Sequence, residues 1–159
     1  MSSDETDSRS TARAAVTVLN GCIETCTDGE KGYATAAADV RDVGLKAYFQ
    51  GKSEERADFV VALQETISAL AAVPENEGST AGVLHRGFVG LRKALEGRSD
   101  ALVLEECLRG EKTALAAYEK AIAHASLDVA SSTLRALLVH QRDAIHRSVA
   151  ELQHRLGGH

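Results

Sequence analysis

The chain has 159 residues, enough for one domain with a sizeable core, and its single proline, lack of tryptophan and 26% charged residues favour helices over sheets. A formal net charge of −5 excludes a broad nucleic-acid surface, which needs a basic patch to displace counterions. No segment is long and apolar enough to cross a bilayer, and the acidic start Met1-Ser-Ser-Asp-Glu-Thr-Asp-Ser8 has no signal-peptide core, so a cytoplasmic protein without membrane or nucleic-acid partners is expected.

Residues 1–10 read as a disordered tail, with a single helical domain over 11–157. From about Thr11 to Val40 a stripe of Leu19, Cys22, Cys26, Glu30, Tyr33 and Ala37 has helical spacing and contains one glutamate. Asp39-Val-Arg-Asp-Val-Gly44 reads as a turn. A second helix runs to about Val73, with Leu45, Phe49, Phe59, Leu63 and Ile67 inward, and Pro74-Glu-Asn-Glu-Gly78 ends it. Ser79 is placed to cap a short amphipathic helix bearing Leu84, Phe88, Leu91 and Leu95. The third long helix spans about Ala101–His124, with Leu104, Cys107, Glu111, Leu115, Tyr118 and Ile122 inward. After a break at Ser126-Leu-Asp128, the fourth helix presents Leu134, Leu138, Ile145, Val149, Leu152 and Leu156, and Gly157-Gly158 closes it.

Two helical hairpins joined by a connection of roughly 25 residues do not fit a simple up-down-up-down bundle, which needs only short loops. At about 1.5 Å per residue, a helix in that connection travels much of the bundle's length. The expected fold is therefore all-α, a ferritin-like four-helix bundle of two antiparallel hairpins with a long crossover that carries a short helix. The first and third helices then run antiparallel.

Across the hairpins, Cys26-Thr-Asp-Gly-Glu30-Lys31 and Cys107-Leu-Arg-Gly-Glu111-Lys112 repeat at an offset of 81 and bring a glutamate onto each apolar stripe. A core-facing carboxylate needs a partner or a metal. A carboxylate-bridged dimetal site needs a glutamate from each of two helices and Glu-x-x-His from each of the other two, because residues three apart on a helix point together. Glu30 and Glu111 meet the first requirement. On the second helix Glu55 is on the inner side, but Asp58 stands where histidine is needed. On the fourth, Asp143-x-x-His146 has the spacing but falls opposite the apolar seam.

The second and fourth helices align by their seams at an offset of 86, which brings Glu55-Arg56 onto Gln141-Arg142. This permits a metal-free centre in which Arg56 and Arg142 neutralise Glu30 and Glu111. Tyr33 and Tyr118 flank the glutamates and are expected to hold carboxylates by hydrogen bonds. Gly29 and Gly110, each inside a helix at a cost of up to about 1 kcal/mol, suggest close helix approach or a local bulge. His85-Arg86-Gly87 reads as a cap over the bundle end. Three cysteines, an odd count, suit free buried thiols better than disulfides. Val60, Val61 and Val139 on the outer faces leave a homo-oligomer open.

The stretches Leu19-Asn-Gly-Cys-Ile-Glu-Thr-Cys-Thr-Asp-Gly-Glu30-Lys-Gly-Tyr33, Gly82-Val-Leu-His-Arg-Gly87 and Glu106-Cys-Leu-Arg-Gly-Glu111 resemble an uncharacterised bacterial family of ferritin-like four-helix-bundle proteins, domain of unknown function 2383, over about residues 12–155. The resemblance implies a ferritin-like bundle with no established activity. From the wider ferritin and rubrerythrin groups, only Glu30, Glu55 and Glu111 match ligand positions. Two readings follow, with enzymatic activity open. One is a non-enzymatic, stress-related helical module with a polar Glu/Arg centre. The other binds Fe, Mn or Zn through Glu30, Glu55, Glu111 and His146, and sequesters or oxidises the metal.

Overall fold

The computed structural model describes residues 3–70, 99–124 and 132–158. They form four helices: α1 (Ser3–Asp39), α2 (Val43–Ala69), α3 (Asp100–Ala123) and α4 (Ser132–Gly157). The helix expected over 79–97, the Pro74–Gly78 stop, the His85-Arg86-Gly87 cap and the Ser126–Asp128 break lie outside the described residues. Helix α1 begins at Ser3, inside the stretch read as a tail.

Local chemistry sets the helix starts. Asp42 has extended backbone (φ −64°, ψ 127°), and its carboxylate accepts the Leu45 N–H at 2.8 Å, capping α2. Ser99 caps α3 in the same way, its hydroxyl accepting the Leu102 N–H at 3.3 Å. The next residue fixes where that helix begins. The Asp100 carboxylate accepts the Arg41 and Asp42 N–H groups at 2.9 and 3.0 Å, tying the start of α3 to the α1–α2 turn.

That tie fixes the topology. Helix α2 leaves the turn and ends at Ala69, at the far end of a 27-residue helix, while α3 begins beside the turn. The described helix ends on either side of residues 71–98 therefore lie at opposite ends of the bundle, as a long crossover requires. Cys26 meets Tyr118, and the turn at Arg41 meets Asp100, so α1 and α3 run antiparallel as expected. Helix α1 packs on both α2 and α3, and α3 on α4.

The core divides in two. One apolar cluster, with Leu19, Leu63, Ile67, Ile122, Leu134 and Leu138, fills the end away from the α1–α2 turn. A second, with Val40, Leu45, Phe49, Val103, Leu104 and Leu152, fills the turn end. Between them lie the four buried polar or charged residues found among the described positions: Arg56, Glu111, Gln141 and Ser148.

Candidate functional site

Arg56 has 0% of its surface exposed and projects from α2 into the space between the two apolar clusters. Its Nη1 and Nη2 donate to Oε1 and Oε2 of Glu111 on α3 at 2.6 and 2.5 Å, a two-pronged guanidinium–carboxylate pair. Nη2 also reaches the Ser148 hydroxyl on α4 at 3.5 Å. The guanidinium carbon lies 5.5 Å from the Tyr33 ring centroid on α1 and 5.8 Å from that of Phe59. One side chain thus contacts all three other helices. Burial opposes its charge, but the Glu111 hydrogen bonds and charge more than compensate and hold its pKa above the ordinary arginine value.

Gly29 explains how the guanidinium fits. A Cβ at this position would stand 3.3 Å from Arg56 Nη1 and 3.5 Å from its Cγ, so the bare backbone of α1 makes room for the side chain. Gly110, its counterpart in the repeat, is different: a Cβ there would meet nothing within 4 Å among the described residues. Close approach accounts for the first glycine and not for the second.

A second polar layer lies one turn away. Tyr118 donates to Gln141 Oε1 at 2.6 Å, so the Cys26 thiol, 3.0 Å from the Tyr118 oxygen, is the donor in that contact. Gln141 Nε2 in turn donates to the Phe59 carbonyl at 3.4 Å. The chain Cys26–Tyr118–Gln141–Phe59 crosses α1, α3, α4 and α2. Burial pushes the Cys26 thiol up to about 11 and the Cys22 thiol to about 12, and all three cysteines are free.

Of the two tyrosines, Tyr118 departs from the role expected for it. Tyr118 serves Gln141 and a thiol rather than a carboxylate. Tyr33 is 4% exposed and its hydroxyl faces Glu111, the nearest acceptor for it, though without a close hydrogen bond among the described residues. Burial and the Glu111 charge raise its pKa well above the usual tyrosine value, so it stays protonated.

The arginines divide as well. Arg142 lies on the bundle surface, where Nη1 bonds Glu119 at 3.1 Å and Nε bonds Asp143 at 2.7 Å. It neutralises neither repeat glutamate, which corrects the paired-arginine expectation. The reason is a one-residue register difference. The offset of 86 aligns Arg56 with Arg142, whereas an offset of 85 pairs buried Arg56 with buried Gln141 and buried Phe59, Leu63 and Ile67 with buried Ala144, Ser148 and Leu152. A helix turns about 100° per residue, enough to carry Arg142 off the inner face.

The sequence-predicted ligands are spread out. Glu111 is 3% exposed and engaged by Arg56. Glu55 is half-buried, 3.4 Å from Lys52 Nζ and 3.5 Å from Arg56 Nε. Glu30 is half-buried, and its main-chain carbonyl accepts the Ser53 hydroxyl at 2.8 Å. His146 is exposed on α4. Among the described residues, no three His, Cys, Asp or Glu side chains gather into a cation-binding group.

This chain's residues 14–124 match a family model described as domain of unknown function 2383. The chain belongs to that family. A comparison with curated proteins finds no match. Among solved structures, this family member is similar to a crystal structure of ferritin-like, diiron-carboxylate proteins from Bacillus anthracis strain Ames, with a TM-score of 0.69 and 18% identity over 98% of this chain and 99% of the other. It is also similar to the DPS protein from Vibrio cholerae O1, a member of the ferritin-like diiron-carboxylate superfamily, with a TM-score of 0.73 and 14% identity over 92% and 91% of the two chains. At these identities the likeness is one of fold, and the family member is a ferritin-like four-helix bundle. No described helix is long and apolar enough to span a membrane.

The residues at the centre of this bundle do not fit a diiron group. Both Glu111 oxygens hold a guanidinium, and the buried polar residues of α4 are Gln141 and Ser148, neither an acid nor a histidine, so α4 brings no Glu-x-x-His to the centre. Sequence reasoning found Arg56 and Glu111 but missed Gln141 and Ser148. Their signal was present in the offset of 85, under which they align with Arg56 and Leu63.

Proposed function

We propose that this chain is a non-enzymatic, metal-independent member of the ferritin-like group, in which an arginine supplies the positive charge that balances the central carboxylate. The observation that carries this reading is the fully buried Arg56 paired through both terminal nitrogens to Glu111. A guanidinium has five donors and no accessible neutral form, so it remains a cation in this interior and satisfies the acid permanently. Binding a metal through Glu111 would require displacing that cation into an apolar core, at a cost of several kcal/mol.

Elemental analysis tests the reading. Protein purified without tag or chelator, then loaded anaerobically with Fe(II) and desalted, is expected to stay free of metal, with an unchanged melting temperature. Near-stoichiometric iron, manganese or zinc that is lost in Glu30→Ala and in Glu55→Ala would overturn it and favour the ligand set Glu30, Glu55, Glu111 and His146.

A further inference from the structure

We draw no further inference here: the strongest candidate, the side-chain cluster of Cys22, Cys26 and Tyr118 in the apolar core between α1 and α3, is buried at every member, and nothing among the described residues points to a metal or other ligand that would reach it.

Discussion

At the scale of single residues, the centre of the molecule rests on one ion pair whose two members are far from equal to their sum. Removing one partner leaves an uncompensated charge in a dry interior, whereas removing both leaves a space that apolar groups fill. Arg56→Met is therefore expected to lower unfolding free energy by about 3–5 kcal/mol, measured by denaturant melts. Adding Glu111→Leu to it is expected to recover most of that loss. If the double variant is as unstable as the single, the pair contributes net stability and not merely mutual neutralisation. That Arg56 would meet a repeat glutamate was legible in the sequence. Which glutamate, and which arginine, was not, because Glu30 and Glu111 occupy matched positions in the repeat and only three-dimensional register distinguishes 3% exposure from half-burial.

At the scale of helices, the apolar stripes gave the number of described elements and most of their boundaries. The errors came from polar residues on inner faces. A seam drawn through Leu, Ile and Val alone tolerates a one-residue slip, and that slip exchanged Gln141 for Arg142. The paired glycines carry a prediction of the same kind. Gly29→Ala places a methyl 3.3 Å from an Arg56 nitrogen that Glu111 prevents from moving, so stability is expected to fall by roughly 1 kcal/mol despite better helix propensity. Gly110→Ala meets no atom of the described residues within 4 Å and is expected to raise stability by up to about 1 kcal/mol. Thermal melts of the two variants, side by side, separate a glycine that packs against Arg56 from one that no described neighbour requires. Equal and opposite repeats of sequence thus have unlike physical roles.

At the scale of the whole molecule, free buried thiols set an alkaline limit. The Cys22 and Cys26 pKa values rise from an ordinary 9.0 to about 12 and about 11, burial being the main cause. Their contribution is fully present below about pH 9. Above it the unfolded chain releases those protons first, and stability is expected to fall by up to about 1.4 kcal/mol per pH unit for each thiol, until the folded-state values are reached. Denaturant melts between about pH 8.5 and 10.5 measure that slope, and the Cys22→Ala, Cys26→Ala double variant is expected to reduce it, with the Cys107 thiol, also pushed up to about 12 by burial, supplying the remainder. An unchanged slope would mean that other groups govern the alkaline limit.

The reach of Arg56 has one more consequence. Helices α1 and α2 form one hairpin and α3 and α4 the other, yet the guanidinium belongs to the first and its carboxylate to the second. The thiol-to-carbonyl chain is divided between the same halves. Parting the hairpins strands a cation on one and an anion on the other, besides exposing both apolar clusters. Neither half is thus self-sufficient, and partial opening along that cleft has no low-energy resting point. The polar middle makes the four helices a single cooperative unit, one that opens as a whole rather than hairpin by hairpin.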